Sequence, residues 1–163
     1  MKILIVSDTH KRNENLLDVL ENERGLDMVI HCGDAEGLED SVRTKIRCPL
    51  YIVAGNNDFF SQLSNELVFN IGSKRVLLTH GHYYHVSMGI ERLADEAVAR
   101  DIDIAIYGHT HVPKMEMVNN VTIINPGSIS YPRQIGRVPT YMILEVDKDE
   151  NFTYTLHHYR SEY

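Results

Sequence analysis

Asp8, His10, Asp34, Asn56, His80, His109 and His111 are the residues of this chain whose types and grouping can do chemistry together. They fall in five short segments: Asp8-Thr9-His10, Gly33-Asp34, Gly55-Asn56-Asn57-Asp58, Thr79-His80-Gly81-His82 and Gly108-His109-Thr110-His111. Oxygen and imidazole ligands suit borderline divalent ions such as manganese, iron, nickel and zinc. A set this dense is costly to gather without cations to neutralise it, and it reads as a site for two metal ions. Taken one at a time, Asp8, Asp34 and Asn56 would be explained as well by helix caps or turns. Three imidazoles at strand ends beside glycines make poor core filler, so the joint pattern favours ligands.

The elements that must position these groups can be read from apolar spacing. Residues 3–6, 28–30, 50–53, 76–78 and 104–107 are short, continuous apolar runs rich in β-branched residues, the pattern of strands buried on both faces. Each ends at a candidate ligand or a glycine. Leu16, Val19 and Leu20, and again Ile90, Leu93, Ala94 and Ala97, recur at helical spacing. A further helix is expected over residues 38–46. Met115 and Met117 alternate with polar neighbours up to Asn119-Asn120, and residues 121–124 return as the second arm of a hairpin. Residues 141–146 pair with Phe152, Tyr154 and Leu156 around the polar stretch 147–151. The whole is an α/β chain, expected to form one domain over residues 1–163.

In open α/β sheets the binding crevice lies beyond the carboxyl ends of the strands, where Asp8, Asp34, Asn56, His80 and His109 fall. In extended segments residues i and i+2 share a face, so Asp8 with His10, and His109 with His111, are expected to point two ligands each inward. Glycines 33, 55, 81 and 108 are expected to let the backbone turn there.

Composition excludes several classes. With 163 residues, 43% hydrophobic and 24% charged, the chain matches a soluble globular protein. The apolar start is too short for a signal peptide or membrane span, and Cys32 and Cys48 form no CxxC pattern. A cytoplasmic protein without a membrane partner is expected. The net charge of −7 and the lack of a Lys/Arg cluster argue against duplex nucleic acid as a partner.

The five ordered segments, spanning residues 8–111, resemble those of the calcineurin-like metallophosphoesterases, in particular the small single-domain phosphodiesterases of bacteria and archaea. The resemblance implies two mixed β-sheets packed as a sandwich with flanking helices, a four-layer αββα fold. It also implies which ligand goes where: Asp8, His10 and His111 on one ion, Asn56, His80 and His109 on the other, and Asp34 bridging. Each ion then keeps positions for a bridging water and a substrate oxygen. The implied function is phosphodiester hydrolysis by a hydroxide bridging two divalent ions, manganese first and iron, nickel or zinc as alternatives. The implied substrate is a small phosphodiester, and the family's dimers and tetramers make a homodimer or homotetramer the expected assembly.

One position departs from the pattern. Many members carry Gly-Asn-His-Asp, whose histidine helps protonate the leaving group, where this chain has Asn57. An amide cannot act as a general acid, so esters with poor leaving groups should suffer most. His82 or a metal-bound water is the candidate substitute acid. Asn57 and Arg133 are candidate substrate contacts, Arg133 being equally readable as an exposed salt bridge. Asp58 is a candidate catalytic group that orients a ligand, or a turn residue.

Asn125-Pro126-Gly127-Ser128 resembles a loop near the family's site, with a plain turn as the alternative. His31 reads as a packed, hydrogen-bonded histidine, and His85, His157 and His158 as surface or sheet residues. Tyr83, Tyr84, Tyr131 and Tyr141 suit core packing, a substrate cleft or a subunit contact. Two other functions remain open: a phosphomonoesterase on the same site, and a catalytically weak scaffold like the phosphoesterase-like subunit of retromer.

Overall fold

The computed structural model describes residues 1–160; the last three positions of the expected domain lie outside the described residues. Strand β1 (Lys2–Val6) shows why its sequence is continuously apolar. Its side chains alternate between two interiors: Ile3 and Ile5 face one hydrophobic cluster, Leu4 and Val6 another. Helix α1 (Glu14–Asn22) covers the second face with Leu16, Val19 and Leu20. The chain returns through β2 (Met28–His31), crosses by α2 (Glu39–Lys45) and enters β3 (Leu50–Ile52), so that β1, β2 and β3 run parallel.

The second half builds a second sheet. Strand β4 (Glu66–Ile71) pairs antiparallel with β5 (Lys74–Thr79), and α3 (Glu91–Ala99) then leads to β6 (Ile104–Ile106). The hairpin of β7 (Lys114–Val118) and β8 (Val121–Asn125) lays β8 parallel beside β6. Strands β9 (Thr140–Val146) and β10 (Phe152–His158) go back to the first sheet, β9 pairing antiparallel with β1. The orders are β10-β9-β1-β2-β3 and β4-β5-β6-β8-β7.

The cluster between the sheets joins Ile3, Ile5 and Ile30 to Val76, Leu78, Ile104 and Ile106. On the far side of the second sheet, Leu93, Ala94 and Ala97 of α3 pack on Leu77, Ala105 and Ile123. The layers are therefore helix, sheet, sheet, helix, as expected. Strand β4 was not expected: it is a half-exposed edge strand, and only its alternate residues Leu67, Phe69 and Ile71 face the core. Among the described residues, no helix is long and apolar enough to cross a membrane.

Candidate metal centre

The parallel strands β1, β2, β3, β5 and β6 all end at the same edge of the sandwich, and the residues that follow them carry the seven expected ligands. The backbone there is not extended. Asp8 (φ 56°), His10 (φ 47°), Asp34 (φ 55°), His109 (φ 68°) and His111 (φ 59°) are all left-handed. The expectation of shared-face pairs from an extended chain is thus corrected: Asp8 and His10, and His109 and His111, are aimed together by left-handed turns. Asp and His tolerate this region better than most residues, yet it costs about 1–2 kcal/mol per residue, a strain that the packed strands below must hold. The glycine expectation also needs correction. Gly33 (φ 100°) and Gly81 (φ 97°) do turn the chain. Gly55 and Gly108 instead provide room, because a Cβ there would collide with the Asp34 carboxylate and the Ser7 hydroxyl.

Two groups of ligand atoms lie within 4.8 Å of one another: Asp8 with His10 and His111, and Asp8 with Asp34 and His80. Asp34 Oδ2 is 3.6 Å from His10 Nε2 and 3.4 Å from His80 Nε2, so it stands between the two halves. Asn56 Oδ1 lies 2.8 Å from His109 Nδ1 and 3.1 Å from His80 Nε2.

The hydrogen bonds on the other side of each ring decide what these nitrogens offer. His80 Nδ1 is 2.7 Å from the Cys32 carbonyl, and His111 Nδ1 is 2.6 Å from the Tyr131 carbonyl; a carbonyl only accepts, so Nδ1 is the donor in both. His10 Nδ1 donates in the same way to Glu36 Oε1 at 2.9 Å. In the neutral rings all three Nε2 lone pairs therefore face acceptors. His111 Nε2 meets Asp8 Oδ1 at 3.2 Å and His10 Nε2 at 3.2 Å. Asp8 Oδ1 is buried and has no hydrogen-bond partner among the described residues. Acceptors turned on acceptors are repulsive unless a cation lies among them, and the donor set fits divalent ions of the borderline class.

The electrostatics agree. Burial opposes ionisation of Asp8, but the nearness of His111 and the field of His80 outweigh it, and its carboxyl lies below the usual range. Asp34 is likewise lowered: burial works against it, and His80 together with the Asn57 donors wins. His80 is resisted by burial but raised by Asp34 and Asp8, so the site draws positive charge toward that ring.

Asn57 and Asp58 both reach the loop that carries Asp34, Asp58 in the ligand-orienting role expected of it. The Asn57 backbone N–H donates to Asp34 Oδ1 at 2.8 Å and its amide Nδ2 to Oδ2 at 2.7 Å. The backbone donor and one of the two amide N–H groups thus orient the central carboxylate, and Asn57 also lines a cleft beside the centre. Asp58 is buried, and its carboxylate accepts from the backbone N–H groups of Asp34, Glu36 and Gly55 at 2.8, 2.6 and 2.8 Å. A carboxylate tied down in this way holds two ligand loops together.

His82, in a short 3-10 turn, has its ring 5.3 Å from that of His80, and its buried Nδ1 has no partner among the described residues. Burial, then the fields of His80 and His109, push its pKa down. Arg133 lines a cleft with His10 and His111, and its backbone N–H donates to the His111 carbonyl at 3.1 Å.

The loop 125–128 does reach the centre: Ser128 Oγ donates to the Asp8 carbonyl at 2.8 Å, and Asn125 Nδ2 to that of Gly108 at 2.8 Å. His31 is buried as expected, accepting from Gly33 N–H at 3.2 Å and meeting Thr9 Oγ1 at 3.3 Å; burial pushes its pKa down to about 4. Tyr131 lines the cleft, while the Tyr84 and Tyr141 hydroxyls bond Glu66 and Glu23. His157, on β10, stacks on Tyr141, and His85 is exposed. Glu36 was not anticipated. Its only sequence signal is its place two residues after Asp34 and just before Gly37.

Residues 1–149 match the calcineurin-like phosphoesterase superfamily domain. The chain belongs to this superfamily. It is similar to a phosphodiesterase of Methanocaldococcus jannaschii, 30% identical over 168 residues that cover 92% of this chain and 96% of that one. The crystal structure of a Streptococcus pneumoniae TIGR4 protein described as a predicted phosphoesterase superposes with a TM-score of 0.83 at 31% identity, covering 96% of this chain and 88% of that one. Vps29 from Entamoeba histolytica, in its complex with zinc, superposes with a TM-score of 0.76 at 25% identity over 97% of this chain and 99% of that one. The fold read above is thus that of metallophosphoesterases.

Proposed function

We propose that this metallophosphoesterase hydrolyses small phosphodiesters with two divalent ions, held by Asp8, His10 and His111 on one side and by Asn56, His80 and His109 on the other, with Asp34 shared. The observation that carries the reading is the convergence of three imidazole lone pairs on the oxygens of Asp8, Asp34 and Asn56. The likeness to an archaeal phosphodiesterase supports the diester as substrate. Bound there, the ions would make a water nucleophilic near neutral pH and offset charge on phosphoryl oxygens.

The chain's own residues do the positioning. Glu36 and the carbonyls of Cys32 and Tyr131 lock the three imidazoles in one tautomer. Asn57 orients both oxygens of Asp34. In the reaction the water oxygen bonds to phosphorus as the bond to the leaving alcohol oxygen breaks, and a phosphomonoester and an alcohol result. Asn57 cannot protonate that alcohol; His82 is the nearby imidazole available to do so, and diesters with good leaving groups are the favoured substrates.

With added manganese the protein should hydrolyse bis-p-nitrophenyl phosphate faster than p-nitrophenyl phosphate. The reverse order would overturn the diester assignment in favour of a monoesterase. The zinc complex of Vps29 keeps one second reading in view, a metal-binding scaffold. Tight metal binding without hydrolysis of either ester under manganese, iron, nickel or zinc would favour it.

A further inference from the structure

Two clefts open beside the centre and share Glu36, the partner of His10, as a common wall. They differ in chemistry. The first, about 650 Å³, is lined by His10, His111, Tyr131, Arg133 and Arg137. Among the described residues neither Arg133 nor Arg137 has a carboxylate partner. Arg133 is anchored next to a candidate ligand by its backbone bond to His111. Tyr131 sets its ring edge-on against His10 at 5.4 Å and carries the Arg12 guanidinium 4.6 Å above its face. Three guanidinium groups thus gather at one rim of a protein whose net charge is −7. Free, fork-shaped donors in such a place match a phosphate or carboxylate.

The second cleft, about 530 Å³, runs past Asn57 and Asp58 to Phe59 and Phe60. These two rings are 79% and 101% exposed, although nothing in the local packing calls for apolar side chains there. The one cation lining this cleft, Lys11, is already paired with Glu36 at 3.3 Å, and Glu39 adds a negative charge. An anionic group would be repelled here, whereas a flat apolar group would find two aromatic faces.

Resting on the diester reading, we propose that the substrate is an asymmetric phosphodiester, with one arm ending in an anion that lies against Arg133 and Arg137 and the other arm aromatic and lying on Phe59 and Phe60. The diester phosphorus sits at the metal centre, with the first cleft opening past His10 and His111 and the second past Asn57. Hydrolysis then separates an anionic half from an aromatic half.

The test uses the manganese-loaded protein and a set of p-nitrophenyl phosphodiesters whose second alcohol ends in a methyl, a carboxylate or a phosphate. The phosphate-armed ester should have a kcat/KM about tenfold above that of the methyl-ended ester, the worth of one charge-assisted contact. The carboxylate arm should fall between them, and added salt should shrink the preference. In the double variant Arg133→Ala, Arg137→Ala the ratio of anionic to neutral ester should fall to near one. Phosphinate analogues with methylene in place of both ester oxygens, titrated calorimetrically, should show the same ranking in binding. Phe59→Ser with Phe60→Ser should weaken the aryl phosphinate and leave an alkyl analogue with the same anionic arm less affected. Equal binding and turnover whatever the arm, with bis-p-nitrophenyl phosphate still hydrolysed, would overturn the two-cleft assignment and leave the diesterase intact. Hydrolysis of p-nitrophenyl phosphate in preference to every diester would sink the diester reading itself. If no ester is turned over, phosphinates that bind alike regardless of arm still overturn the assignment.

Discussion

Replacing Asp58 by asparagine separates a group that holds the site from one that does chemistry. The Asp58 carboxylate is 8% exposed and accepts from the backbone N–H of Asp34 and Gly55 at Oδ2 (both 2.8 Å) and from Glu36 at Oδ1 (2.6 Å). An amide oxygen can keep the Oδ2 pair, but then NH2 faces the Glu36 N–H, donor against donor. That leaves one buried donor unpaired, at about 1–3 kcal/mol, and it turns charge-assisted bonds into neutral ones of roughly half the strength. The expected loss is about 2–4 kcal/mol. In a chain of 163 residues it should appear as a melting temperature lower by on the order of 5–12 °C. Because the same bonds fix the loops carrying Asp34 and Asn56, manganese affinity should fall about 10–100-fold. Thermal unfolding and calorimetric titration with manganese read both effects. A variant that melts within about 2 °C of the parent and binds manganese as tightly, yet has lost kcat, would refute the reasoning and return Asp58 to a direct catalytic role.

Further outcomes follow from the same geometry. The His31 pKa is about 4 in the fold against 6.5 when unfolded, so its contribution is fully present above pH 6.5 and is lost as pH falls from 6.5 toward 4; by linkage it is on the order of 3 kcal/mol. His31→Gln should flatten the stability profile across that window in urea titrations, and an unchanged slope would remove His31 as the cause. Manganese at a hundred times its Kd should stabilise the parent by about 2.7 kcal/mol for each ion bound and Asp8→Asn by far less, as read by melting with and without metal; equal gains would take Asp8 out of the ligand set. Asn57→Ala removes one of the two donors to Asp34 and should lower manganese affinity about tenfold. Native affinity combined with a raised KM for diesters would instead make Asn57 a substrate contact.

The sequence by itself determined the inventory: which side chains can ligate, and in which strand-end loops they lie. Metal chemistry admits few residue types, and burial of a central strand on both faces imposes a continuous apolar run, so Asp8, Asp34, Asn56, His80, His109 and strands such as β1 were legible. The helical spacing of Leu16, Val19 and Leu20, and of Leu93, Ala94 and Ala97, marked α1 and α3 for the same reason, a single buried face. Only the tertiary structure decided the rest. Strand β4 lies at a sheet edge and buries one face alone, so Leu67, Phe69 and Ile71 alternate with Val68 and Asn70 in place of the continuous run that marks the central strands. Glu36, Asn57 and Asp58 act through hydrogen bonds to residues on other loops, and nothing in a carboxylate or amide's own identity tells which distant N–H or ring nitrogen it will meet. The left-handed turns that aim Asp8, His10, Asp34, His109 and His111 are strained locally and persist because two packed sheets hold the ends of five strands in one place. Local sequence can name such residues, but their convergence is a property of the whole packed chain.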